Sequence, residues 1–177
     1  MNDLTTTESK GAKVDKKPQK ERITIERTFQ APVEDVWSLW TTKEGIESWW
    51  GPDGFTTKVY ELDLRPKGKL HYAMTATGAE QIDFMKKNGM PLMNHTRGWY
   101  DQIVALERLL FWQIADFVPG VAAYDIETLV ELFPGPQGVR LVLTFDAMHD
   151  ERWTQMAKMG WENELVRLDA ALAKRRK

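Results

Sequence analysis

Asp150-Glu151-Arg152-Trp153-Thr154-Gln155-Met156-Ala157-Lys158-Met159-Gly160-Trp161-Glu162-Asn163-Glu164-Leu165-Val166-Arg167-Leu168-Asp169-Ala170-Ala171-Leu172-Ala173-Lys174 is the stretch whose reading decides the fold. Asp150 suits a helix N-cap, and Glu151 falls in the first turn, where the helix dipole favours an anion. Trp153, Met156, Ala157, Gly160, Trp161, Glu164, Leu165, Leu168, Ala171 and Leu172 recur at steps of three and four. All but Glu164 are uncharged, so the pattern predicts one apolar stripe along a helix. At about 1.5 Å per residue the helix spans roughly 35 Å, the width of a small domain. Its end, Lys174 to Lys177, is wholly cationic and suits the negative pole of the dipole. A helix this long, arriving after a run of strands, needs an apolar surface to lie along. The expected surface is a curved sheet, with a pocket closed between the two.

The strands precede it. Ile23 to Gln30 alternates with period two and predicts a first strand. Ala31-Pro32 ends it and opens a helix whose stripe is Val33, Val36, Trp37 and Trp40. Thr41 or Thr42 caps a second short helix through Ile46 and Trp49, and Gly51-Pro52 stops it. Phe55 to Leu64 and Leu70 to Ala76 form a hairpin about the turn Arg65-Pro66-Lys67-Gly68. Thr77 to Asn94 breaks the rhythm with a short helix at Glu80 to Lys87, and a connection of that length predicts a lid or binding loop. Four strands follow, at about His95 to Leu106, Arg108 to Phe117, Tyr124 to Phe133 and Val139 to Ala147. Short turns between strands imply an antiparallel meander, and helices at its two ends must share one face. The expected class is α+β, with about seven strands.

Composition narrows the function classes. The chain has 177 residues, 42% of them apolar, enough for one domain with a real core. Residues 1–22 are polar and carry six Lys and Arg against four Asp and Glu; they read as a disordered tail ahead of a domain at 23–177. A net charge of −2 gives no global pull toward nucleic acid or an anionic membrane. There is no cysteine, which excludes disulfides, a thiol nucleophile and cysteine-held metal. No apolar run is long enough for a membrane span, and no secretory leader is apparent, so a cytoplasmic location is expected. Eight Trp point to a core built on large rings or to an aromatic-lined ligand cavity.

Ala31-Pro32-x-x-x-Val36-Trp37, Trp49-Trp50-Gly51-Pro52 and Leu62-x-Leu64-Arg65-Pro66-x-Gly68, with Gly160-Trp161 in the last helix, resemble the START/birch-pollen-allergen-like superfamily. The nearer resemblance is to its bacterial branch related to the C-terminal domain of activators of the heat-shock-protein-90 ATPase. It covers roughly Ile23 to Leu172. It implies a helix-grip fold: a strongly bent antiparallel sheet holding the long C-terminal helix, with two short helices after strand one and a cavity between helix and sheet. It does not imply one function, since the superfamily holds binders and enzymes alike. Nor does it make a chaperone partnership expected, because the eukaryotic activators carry a further N-terminal domain where this chain has a short polar tail.

Chemistry-bearing motifs are sparse. His71, His95 and His149 lack metal-ligand spacing, and no phosphate loop or serine nucleophile elbow occurs. Neither a cofactor nor a metal is expected. Asp101, sharing a strand face with Trp99 and Ile103 by alternation, is the leading polar pocket candidate, against a solvent-facing or Arg-paired role. Gly160, mid-helix on the apolar stripe, either makes room for a cavity or accepts a ring such as Trp99 or Trp112. The expected function is binding of a small hydrophobic or aromatic molecule, with a cyclase- or hydrolase-type enzyme as the alternative. The candidate lining is Trp40, Trp49, Tyr72, Met74, Phe84, Met85, Trp99, Asp101, Trp112, Tyr124, Met156 and Gly160. Phe84 and Met85 are the lid's apolar contacts. A homodimer through exposed sheet faces fits strands such as Leu109 to Phe117, apolar on both sides.

Overall fold

A computed structural model describes residues 20–118 and 120–176. The elements run β1 (Arg22–Phe29), α1 (Val33–Thr41), α2 (Lys43–Trp49), β2 (Phe55–Leu62), β3 (Lys69–Ala76), α3 (Ala79–Lys87), β4 (Met93–Val104), β5 (Arg108–Ala115), β6 (Tyr124–Gly135), β7 (Gly138–Asp146) and α4 (Glu151–Arg175). The seven strands form one antiparallel sheet in the order β1-β7-β6-β5-β4-β3-β2. It is thus a meander from β2 to β7, with β1 returning beside β7. This is the α+β helix-grip: a curved sheet, a long C-terminal helix against it and two short helices after β1. The expected polar tail lies, over residues 1–19, outside the described residues. The chain is already anchored just after it, for the Lys20 ammonium donates to the Asp125 carbonyl at 2.7 Å and Arg22 pairs with Glu127 at 2.8 Å.

Alternation sorts the sheet into two faces. Phe29, Val59, Leu70, Tyr72, Tyr100, Leu109, Phe111, Val130, Leu132, Leu141, Leu143 and Phe145 point inward and are buried against α1, α2 and α4. Asp150 caps α4, its carboxylate accepting from the Trp153 amide at 2.8 Å. The stripe of α4 is used unevenly. Leu165, Leu168 and Leu172 in the C-terminal half are fully buried, each contributing about 1.5–3 kcal/mol by leaving water. In the N-terminal half Met156 is 47% exposed and Trp153 only half-buried. A straight helix meets a curved sheet closely along only part of its length. The gap opens at the N-terminal half.

Between α2 and β2, Gly51 has φ +111°, a conformation that glycine adopts without strain. It turns the chain so that Trp50 faces the core while three loop carbonyls face α4. The Arg167 guanidinium donates to all three, to Gly51, to Pro52 at 2.8 Å and to Phe55 at 3.4 Å. This one side chain ties the long helix to the Trp-Gly-Pro loop.

Candidate functional site

The gap between α4 and the sheet is a cavity of about 230 Å³. Ala157, Gly160, Trp161 and Glu164 line it from α4, at the spacing of one helix face. Trp50 contributes from the loop after α2, Tyr72 and Met74 from β3, Thr96 from β4, Gln113 and Ala115 from β5, Ile126 and Thr128 from β6, and Phe145 from β7. Phe117 and Met148 stand at its open side. A wider depression of about 840 Å³ lies by Gln30 and Gln137, but it is a surface cleft beside the β6–β7 turn with no apolar interior.

Trp50 is the hub of the aromatic wall. Its ring centroid lies 5.5 Å from Tyr72, 5.6 Å from Trp161 and 5.8 Å from Phe111. Trp40 and Trp49 form the layer behind it, 5.3 Å and 5.4 Å away, and both are fully buried. The Trp49 indole donates to the Leu39 carbonyl at 2.8 Å, which marks it as a core ring with its polar atom satisfied.

One end of the cavity is polar. The Gln113 amide donates to the Tyr72 hydroxyl at 2.5 Å, and the side chains of Thr96 and Trp50 also reach that oxygen. Glu164 is buried on the adjacent wall. Burial pushes its carboxyl up to about 8, and the Arg167 guanidinium and the Gly51 amide offset only part of that cost. Tyr72 is driven upward by burial and by the neighbouring Glu164. The Thr128 hydroxyl is fully buried and has no protein partner. A buried hydroxyl without a partner costs about 1–3 kcal/mol. This part of the wall therefore offers a carboxyl that is protonated at neutral pH and a phenol. Among the described residues, no three His, Asp or Glu side chains converge on a common point.

Of the sequence candidates, Tyr72, Met74 and Gly160 are brought together on the cavity wall. A Cβ on Gly160 would meet nothing within 4 Å, so the glycine faces open space and no ring packs against it. Trp40 and Trp49 sit one layer deeper, as described. Trp99 and Trp112 stack on each other at 6.1 Å on the outer face of the sheet, paired across β4 and β5. Asp101 is exposed because it follows Trp99 by alternation onto the outer face of β4, and a β-bulge then changes the phase for the residues after it. The register slips between Tyr100 and Gln102, leaving Asp101 as the extra, unpaired residue. Strict alternation would put Trp99, Asp101 and Ile103 on one face; the bulge leaves Trp99 outside and packs Ile103 against the core.

Phe84 and Met85 flank a separate surface groove with Phe55, Glu80 and Gln81, and no residue of 77–94 lines the cavity. The segment is instead fastened sideways, its Thr77 and Gly78 amides donating to the Gly54 carbonyl at 2.7 Å and 2.9 Å. Met156 is on the exposed side of α4. Tyr124 lies beside the mouth, off the wall, its hydroxyl 2.9 Å from His149 Nδ1 and accepting from the His149 amide at 3.2 Å. His71 and His95 are on the outer face, their ring nitrogens 3.0 Å apart beside Tyr60. The functional residues absent from the candidate set are Trp50, Thr96, Gln113, Thr128, Trp161 and Glu164. Three of them left a signal: Trp50 stands in the Trp-Gly-Pro motif, Trp161 in the Gly-Trp pair of the last helix, and Glu164 is the single charge on the stripe of α4.

Comparison with solved structures gives the same architecture. A protein from Chromobacterium violaceum aligns with a TM-score of 0.72 at 24% identity, over 85% of this chain and 96% of that one. The AHSA1 protein from Silicibacter pomeroyi aligns at 0.69 and 19% identity, over 88% and 99%. An AHSA1-like protein from Aeromonas hydrophila aligns at 0.64 and 24% identity, over 85% and 94%. At these identities the likeness is one of fold. No curated protein matches the chain. The family described as "Activator of Hsp90 ATPase homolog 1-like protein" matches residues 30–173. With that match spanning most of its length, the chain belongs to the Activator of Hsp90 ATPase homolog 1-like family.

Proposed function

We propose that the protein binds a small, largely apolar molecule in the cavity between α4 and the sheet. The observation that carries this reading is the asymmetry of the wall. Rings and aliphatic groups line most of it, and Glu164, Tyr72 and Gln113 supply a linked polar group on one part of it. Apolar lining with a few convergent polar groups is the usual construction of a small-molecule site. The volume sets the scale. About 230 Å³ is below the roughly 300–1,000 Å³ of drug-sized sites and equals the liquid volume of about eight waters. That suits a one- or two-ring molecule and is too small for a long acyl chain.

Trp50 and Trp161 on the wall make the protein its own reporter. Titration with small aromatics should shift tryptophan emission saturably, and Trp161→Phe should reduce the amplitude. A flat response to a panel of one- and two-ring compounds, with no thermal stabilisation, would remove the reading. Glu164 facing Tyr72 supports a second reading, proton transfer to the bound molecule. In that case Glu164→Gln abolishes turnover of a compound it still binds; turnover that survives the change dismisses it.

A further inference from the structure

We propose that the molecule taken by this cavity is an organic ammonium ion, its apolar body against Trp50, Trp161 and Met74 and its cationic head on the Glu164 carboxylate. This rests on the cavity reading above and names the chemical class of the ligand.

Glu164 is the wall's one carboxyl, and none of the other lining side chains is Lys, Arg or His. A carboxylate or phosphate guest has no countercharge there and meets a buried acid and a phenol. Arg167, the cation nearest Glu164 in effect, is not part of the wall, and its guanidinium is spent on the carbonyls of Gly51, Pro52 and Phe55. Among the described residues, the other elements around Glu164 bring the Gly51 amide from the loop and the Tyr72 hydroxyl from β3. The Tyr72 hydroxyl already accepts the Gln113 donor. What the polar end lacks is a positive charge.

The wall also suits a cation on its apolar side. The rings of Trp50, Trp161 and Tyr72 surround this end, and aromatic faces attract ammonium groups, most strongly when water is excluded. An ammonium has several donors, so one can reach the carboxylate while others face the rings. A neutral alcohol cannot stabilise a buried carboxylate.

The charge balance makes a specific signature. In the free protein Glu164 holds a proton at neutral pH. An entering ammonium favours the carboxylate, so the Glu164 proton leaves to solvent while the ligand keeps all of its own. Binding of the cation thus releases up to one proton, whereas an alcohol of the same shape releases none.

The test uses three probes with one body and three heads: phenethylamine, phenethyl alcohol and hydrocinnamate. Calorimetric titration of the full chain at neutral pH is run in two buffers of different ionisation heat. We expect the amine to bind at least about tenfold tighter than the alcohol, and hydrocinnamate weakest of the three. The amine's heat should change with the buffer by an amount that reports proton release, and its affinity should climb between about pH 6 and about pH 8. Glu164→Gln should erase the amine's advantage over the alcohol and abolish its proton release. If the alcohol or hydrocinnamate binds as tightly as the amine, or if no proton is released, the head-group assignment is overturned and the cavity reading stands. If none of the three binds, the cavity reading itself falls. The head-group comparison and the proton count need no variant, so a poorly folding Glu164→Gln leaves the test intact.

Discussion

Glu164 is where the physics of this molecule concentrates at the residue scale. It interrupts an apolar stripe, and its carboxyl is buried with only partial compensation from Arg167 and the Gly51 amide. Its pKa of about 8 lies above the ordinary value of 4.5. Between those two values the folded chain holds a proton that the unfolded chain has released. The stabilising contribution of that proton is full below about pH 4.5 and is lost as pH rises through about 8. Glu164→Gln cannot lose it. The wild-type chain should therefore fall by roughly 3 kcal/mol relative to the variant between about pH 5 and about pH 8. Urea unfolding of both chains at stepped pH measures the difference, and parallel stability profiles would show a solvated, ordinary carboxylate. Asp101 shows the opposite case. It reads as a pocket acid by alternation with Trp99 and Ile103, but it lies outside with Trp99, and one extra residue in β4 brings only Ile103 round to the core. A bulge leaves little trace in residue types, so period-two reasoning cannot see where the phase changes. Glu164 was legible as an anomaly, because a lone charge in a helical stripe either snorkels out or serves a purpose.

At the scale of the element, α4 divides into two halves with different duties. Leu165, Leu168 and Leu172 fix the C-terminal half to the core, while the half around Ala157 and Gly160 bounds open space. Gly160 is the clearest consequence. A mid-helix glycine costs about 1 kcal/mol against alanine, and here a methyl group meets no atom within 4 Å. Gly160→Ala should raise stability by about that amount, a rise of roughly 2–4 °C in Tm for a chain of this size. Gly160→Leu projects a larger group into the cavity, and should keep the fold while abolishing the tryptophan response to small aromatics. Thermal unfolding and the fluorescence titration read the two separately. A Gly160→Leu chain that binds as well as wild type would show that the guest sits elsewhere. The stripe, the caps and the strand runs are carried by local sequence, so the elements were legible within a few residues. The lid expected of 77–94 was not, because nothing local reveals that the Gly54 carbonyl will hold its start sideways.

The whole molecule is a bent sheet gripping a straight rod, and the misfit between those shapes makes the cavity. Element order was enough to read that architecture. The polar end as a whole was not readable, since Trp50, Tyr72, Thr96, Gln113 and Glu164 come from a loop, three strands and a helix, and nothing in one segment shows that the others will meet it. What sets the grip is the join between rod and sheet edge, where Arg167 meets the carbonyls of Gly51, Pro52 and Phe55. That loop also carries Trp50, so the join fixes the cavity wall as well as the helix. Arg167→Met keeps most of the side-chain stem and removes the donors. Three carbonyls lose a partner, and Glu164 loses the cation that holds its carboxyl down. The variant should be less stable by about 2–4 kcal/mol, and the Glu164 titration should move further upward. Amide exchange should quicken first at the start of β2, around Thr57 to Val59, before it does in β6 or β7. Trp50 should gain mobility, seen as a changed emission and a weaker response to small aromatics. An Arg167→Met chain with wild-type stability and unaltered exchange at β2 would mean that the helix is held by its leucines alone, and that the cavity wall needs no clamp.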